Sequence, residues 1–179
     1  MRWDEFGRAC PELAEIAREW VADRHIMLLG TLRPDGSPRI SAVECDVVVR
    51  DGAAALAHTT EGSTGTVGAD LCTGMIWQSK KGLDLLRDPR MTVHSLPPGL
   101  HNPAGDLKLY GRAVEVTEPA GRRAYGETLY ARIQWQPSEP YHLFALDIES
   151  AGLVRFEGDD REVLHWRAGG ALRTRRISG

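Results

Sequence analysis

The chain has 179 residues, 42% of them apolar and 26% charged, with a formal charge of -3 and a pI of about 6.1. That length suits one domain with a sizeable core, no apolar run approaches the roughly 20 residues of a membrane span, and the lack of a basic excess argues against a general nucleic-acid binder. Cys10, Cys45 and Cys72 are odd in number and far apart, which fits neither a disulfide framework nor zinc spacing, so buried free thiols are expected. The opening Met-Arg-Trp-Asp-Glu-Phe has no basic stretch followed by an apolar one, so a soluble cytoplasmic protein is expected.

From Pro11 to Asp23, Leu13, Ile16, Ala17, Trp20 and Val21 recur at the spacing of one apolar helical face, predicting a single helix within residues 1–24. Ile26 to Leu32 and Arg39 to Asp46 read as strands around Arg33-Pro34-Asp35-Gly36-Ser37-Pro38, a segment rich in turn formers. Val47 to Arg50 and Ala53 to His58 repeat the pattern about Asp51-Gly52. Residues 59–68, small, polar and glycine-rich, predict a flexible loop. Leu71 to Trp77 reads as a strand, and Lys80 to Arg87 as a short helix with Leu83, Leu86 and Arg87 on helical spacing, stopped by Asp88-Pro89. Met91 to Leu96, Leu107 to Val116, Tyr141 to Ile148, Leu153 to Phe156 and a run near Val163 to Trp166 complete the strands. Pro119 to Ile133 is the remaining helix, with proline in its first turn, and residues 168–179 read as a tail. Many strands joined by short turns favour a mainly β, closed antiparallel barrel with peripheral helices, in one domain over residues 1–179.

The segment Trp77-Gln78-Ser79-Lys80-Lys81-Gly82 carries the most chemical information. A strand ends in a hydroxyl residue able to cap a helix, and two lysines occupy the first turn, where the free N–H groups and the helix dipole already favour an anion. Two cations there are unfavourable unless an anion sits among them, and phosphate is the natural occupant. The alternative is that Ser79 only caps and both lysines point into solvent.

The order of RPDGSPRIS, SKKGLDLLRDPRM and LKLYGRAVEV along the chain resembles the pyridoxamine 5′-phosphate oxidase-like split-barrel superfamily, including its flavin and deazaflavin oxidoreductases. The resemblance runs from Ile26 to Val116 and more weakly to Trp166. It implies a six-stranded antiparallel split barrel of Greek-key type, a homodimer with cofactor sites at the subunit interface, and FMN as cofactor, with deazaflavin coenzyme F-420 as the alternative and haem less favoured. By position it implies that Arg39, Ile40 and Ser41 line the cofactor from the second strand, that Ser79, Lys80 and Lys81 form the phosphate turn, and that Trp77 precedes it.

The function so implied is an oxidoreductase moving hydride or electrons between the flavin and a small organic substrate. The rival is a haem- or flavin-binding storage, sensing or degradation protein on the same fold. No catalytic side chain is singled out, because the ring carries the chemistry. The segment Asp46 to Cys72 adds length before the phosphate turn. The Arg-x-His substrate motif of the vitamin-salvage oxidases is replaced by Leu164-His165-Trp166-Arg167, which argues against pyridoxamine phosphate oxidation. The six histidines form no HxxxH or related arrangement, so no metal site is expected. The glycine-rich stretches match neither a P-loop nor a dinucleotide fingerprint, and Ser63 sits in no Gly-x-Ser-x-Gly elbow. Arg173, Arg175 and Arg176 form a basic cluster near the end that could reach a partner subunit's cofactor.

Overall fold

A computed structural model describes residues 1–50, 68–96 and 105–179. In chain order the elements are α1 (Trp3–Ala9), α2 (Pro11–Arg24), β1 (Ile26–Leu32), β2 (Pro38–Glu44), β3 (Asp46–Val49), β4 (Ala69–Ile76), α3 (Lys80–Arg87), β5 (Arg90–Ser95), β6 (Asp106–Glu115), α4 (Pro119–Ile133), β7 (Tyr141–Glu157), β8 (Asp160–Arg167) and β9 (Arg173–Ile177). The expected hairpin about Asp51-Gly52, the loop up to Val67, His58 and His101 lie outside the described residues.

All strand pairs are antiparallel, in the order β2-β1-β5-β6-β7-β4-β3. β2 and β3 stand at the two ends of this path, yet only Cys45 separates them in the chain. The sheet therefore has to curl until its ends meet, and β2 does pack near β4. Cys45 is buried in this seam with its N–H donated to the His25 carbonyl at 2.7 Å, and burial pushes its thiol up to about 12. All three cysteines are buried and free, as their spacing predicts. The mainly β, antiparallel split barrel with peripheral helices is thus the fold, and β3, β8 and β9 extend its six-stranded body.

Three local expectations need correction. The N-terminal region is two helices rather than one, because Cys10 (φ -145°, ψ 73°) breaks the helix and Pro11 restarts it from a position that needs no N–H. Helix α1 nevertheless contributes Trp3 and Phe6 to the core, the Phe6 ring lying 5.1 Å from that of Trp166. The two strands read at Tyr141 to Ile148 and Leu153 to Phe156 are one 17-residue strand, β7. A register shift opposite Tyr110 and Gly111 leaves Glu149 unpaired, and that bulge interrupts the alternation from which strands are read. Beyond it β7 turns from β4 to β8 as its neighbour. Finally, residues 168–179 are not only a tail, since Arg173–Ile177 forms β9 on the edge of β8.

Candidate functional site

Strand β4 enters α3 through a tight elbow. Gln78 adopts a left-handed conformation (φ 59°), and the Ser79 N–H returns to the Ile76 carbonyl at 3.0 Å. Ser79 then takes extended angles and accepts the Gly82 N–H on its side chain at 3.3 Å, the arrangement of an N-cap. The first turn holds no acidic residue. Lys80 is exposed and Lys81 half-buried, and neither pairs with a carboxylate among the described residues. The dipole and two formal charges therefore add at one helix end, with no carboxylate among the described residues paired to either lysine.

Beneath this turn lies His142 of β7, 1% exposed. Its ring stacks on Trp77 with centroids 4.5 Å apart, and its Nε2 accepts the Gln78 N–H at 3.3 Å. Acceptance at Nε2 places the ring proton on Nδ1, which faces Glu115 Oε1 at 3.5 Å. Gly82 rides directly over the imidazole, where a Cβ would stand 2.9 Å from His142 Cδ2.

The second half of the site is an ionic cluster between β2 and α3. Asp84 is 2% exposed. Its Oδ2 accepts Arg39 Nε at 2.6 Å and Thr31 Oγ1 at 3.1 Å, while Oδ1 accepts two Arg87 nitrogens, each at 3.3 Å. Arg87 also donates to the Leu32 carbonyl. Burial works against the charge on Asp84, but the hydrogen bonds from Arg39, Thr31 and Arg87 outweigh it and hold the carboxyl below its usual range.

The seven residues singled out in the sequence therefore divide. Ser79, Lys80 and Lys81 form one helix start, and Arg39 reaches the same helix through Asp84. Ser41 shares Arg39's face of β2, as does buried Val43, but makes no side-chain hydrogen bond among the described residues. Ile40 projects from the opposite face and is 72% exposed. Trp77, 48% exposed, belongs to the elbow through His142. The helix expected from the spacing of Leu83, Leu86 and Arg87 is present as α3, with both leucines exposed and Gly82, Asp84 and Leu85 buried. Asp84 and His142 carried no sequence signal beyond their types, because the partners that give them meaning lie 45 and 64 residues away in the chain.

Cross-strand neighbours put Ile40, Gly30, Thr92 and Tyr110 in one row on the outer face of the sheet, continuing to Ser150 and Arg167. Arg161, Arg167, Arg173 and Arg175 share that face of β8 and β9, all exposed and without a carboxylate partner among the described residues. Arg176 lies on the other face and pairs with Glu157 at 3.3 Å, so the three terminal arginines do not act as one cluster. An open cleft of about 860 Å³ lies elsewhere, between α4 and residues 134–140. Its principal cation, Arg122, is already held by Glu139 and lies over the Tyr141 ring at 4.0 Å, so it is a poorer anion site than the α3 start. Among the described residues no group of three or more His, Cys, Asp or Glu is placed to hold a metal ion, and no helix is long and apolar enough to cross a membrane.

A curled antiparallel barrel with peripheral helices and a cationic helix start beside its second strand defines a split-barrel protein. The family model for pyridoxamine 5′-phosphate oxidase matches residues 13–155, and the chain belongs to that family. Among solved structures it is similar in fold to PhzG from Burkholderia lata in complex with tetrahydrophenazine-1-carboxylic acid, at TM-score 0.57 and 12% identity, covering 92% of this chain and 91% of that one. It is similar to a pyridoxamine 5′-phosphate oxidase-related, FMN-binding protein from Nostoc punctiforme at TM-score 0.55 and 13% identity, covering 95% and 96%. It is also similar to a heme-binding protein from Mycobacterium smegmatis at TM-score 0.56 and 18% identity, covering 93% of this chain but spanning only 57% of that protein. Comparison with curated proteins gives no match.

Proposed function

We propose that the chain is an oxidoreductase that binds FMN, or the related deazaflavin coenzyme, at the start of α3 and works as a homodimer on a small organic substrate. The observation that carries this reading is the pair of lysines, without carboxylate partners among the described residues, in the first turn of a capped helix that has no acidic residue there. The residues present fit the cofactor. Lys80, Lys81 and the α3 N–H groups suit a phosphate, Arg39 adds a cation held by Asp84 of the same helix, and Trp77 and Ile76 expose apolar surface next to the turn, as a planar ring requires. When bound, the flavin ring supplies hydride transfer. The protein's own part is to hold the anionic chain with Lys80 and Lys81, to fix the elbow through His142 and Gln78, and to keep positive charge at Arg39. Exposed Ile40 and Tyr110 on one row of the outer face favour a second copy covering that surface.

The test is the absorbance spectrum of the purified protein, followed by the mass of the ligand released on denaturation. Flavin bands with the mass of FMN are expected, and the single deazaflavin band would assign that coenzyme instead. A Soret band would favour the haem-binding rival, and colourless protein whose melting temperature none of the three ligands raises would remove the cofactor reading. Changing Lys80 and Lys81 together to Gln should weaken FMN binding roughly tenfold, at about 0.5–1 kcal/mol for each charge. The same change should leave the ligand-free protein as stable or slightly more so, because the lysines oppose the dipole. Unchanged FMN affinity would place the phosphate elsewhere.

A further inference from the structure

We propose that Asp84 is a positioning residue: its buried carboxylate sets the guanidinium of Arg39 so that the terminal nitrogens of that arginine meet the same anion as Lys80 and Lys81. This rests on the reading of the α3 start as an anion site.

A charged carboxylate inside a protein needs partners, and Asp84 has donors on both oxygens from three elements, β1, β2 and α3 itself. The way each arginine is used is unequal. Arg87 reaches Asp84 through its terminal nitrogens and spends one of them also on the Leu32 carbonyl, so its fork is occupied by the fold. Arg39 reaches Asp84 through Nε alone, and its two terminal nitrogens have no partner among the described residues. An arginine held at Nε by a carboxylate has its guanidinium plane fixed, with the end-on pair of terminal N–H groups directed elsewhere than at that carboxylate. Asp84 lies four residues after Lys80 and three after Lys81, so the carboxylate that anchors the guanidinium stands about one helical turn along α3 from both lysines. One carboxylate set against two guanidiniums also leaves the cluster net positive, so Asp84 orders Arg39 without cancelling the attraction for an anion. Thr31 donates to the same oxygen as Arg39 Nε and fixes the carboxylate rotamer from the neighbouring strand, directly opposite Arg39. Pre-ordering of this kind removes the entropy cost of immobilising a long side chain when the ligand arrives.

The test is a double-mutant cycle on FMN affinity, read by quenching of flavin fluorescence, with Asp84→Asn, Arg39→Ala and the double variant, each checked for native circular dichroism. Asp84→Asn should weaken FMN about tenfold, the size of one charge-assisted hydrogen bond, and should have no further effect once Arg39 is Ala. Wild-type affinity in folded Asp84→Asn, or losses that simply add in the double variant, would overturn the assignment. If Asp84→Asn does not fold, Thr31→Val takes its place, expected to cost two- to threefold alone and nothing in the Arg39→Ala background. A loss in that background as well overturns it. If wild-type protein binds neither FMN nor inorganic phosphate, the anion-site reading falls. The positioning claim is then judged separately by nuclear magnetic resonance of the Arg39 Nε–H, which should be a slowly exchanging signal in the wild type and exchange rapidly in Asp84→Asn or Thr31→Val. A signal equally fast in wild type and variant refutes it.

Discussion

Replacing Gly82 with alanine sets a helix preference against a steric contact. In an exposed helix the change is favourable by at most about 1 kcal/mol, since glycine loses more backbone entropy on folding. At Gly82 the new Cβ would lie 2.9 Å from His142 Cδ2 and 3.1 Å from Ser79 Oγ. The imidazole cannot swing aside cheaply, because it is buried, stacked on Trp77 and bonded to the Gln78 N–H. Forcing a methyl into a packed site costs about 1–3 kcal/mol, and a disturbed His142–Gln78 hydrogen bond adds about 0.5–1.5 kcal/mol. The net expectation is a loss of about 0.5–4 kcal/mol, measurable as a lower urea midpoint with an unchanged slope. FMN affinity should fall as well, since the turn that carries Lys80 and Lys81 has to lift off the imidazole. A Gly82→Ala protein as stable as the wild type, or more stable, would show that α3 does not press on His142 and would remove the histidine from the site.

The lowered pKa of Asp84 has a definite sign in stability. A carboxyl depressed in the folded state contributes stability above its unfolded pKa of about 4, and the contribution is lost as pH falls through the folded value. Urea midpoints of the wild type should therefore drop more steeply below about pH 4 than those of Asp84→Asn, and parallel acid limbs would contradict the ionic cluster. Near the same end of β4, the one that enters α3, Tyr125 of α4 is buried and its hydroxyl oxygen accepts the Gly74 N–H at 3.0 Å, burial pushing its pKa up. Tyr125→Phe strands that N–H and should cost about 1–3 kcal/mol in chemical denaturation. A neutral result would mean that the N–H finds another acceptor.

The fold was legible in the sequence wherever a local period or turn recorded it. β1, α3 and α4 follow directly from Ile26 to Leu32, Lys80 to Arg87 and Pro119 to Ile133. What local reading could not reach was set by distant partners. The continuity of β7 depends on a bulge defined against β6, and α1 is too short for its pattern to stand out although Phe6 is fully buried. β9 exists because β8 offers an edge, not because Arg-Thr-Arg-Arg-Ile has a strand-like alternation. The site shows the same division. Its cations were visible as misplaced charges, while Asp84 and His142 acquire roles only when β2 and β7 are brought against α3. The spacing of Leu83 and Leu86 did mark the helix, but not its buried face, because α3 turns Asp84 inward and these two leucines outward.

The seam at Cys45 has a kinetic side. β2 and β3 leave it in opposite directions around the sheet, and the path from one to the other passes through β7, which alone joins β6 to β4. A nascent chain that has been made only as far as α4 can form the β1–β2 hairpin and pair β3 with β4, but it lacks the strand that joins the two halves. Closure waits for Tyr141 to Glu157, and every contact it makes with β4 spans more than 60 residues of chain. Long-range pairing of this kind carries a large loop-closure entropy before it gains any return. The rate of folding should thus be governed by the docking of β7, and ribosome-bound chains ending before it expose the free edges of β4 and β6 to the cell's chaperones.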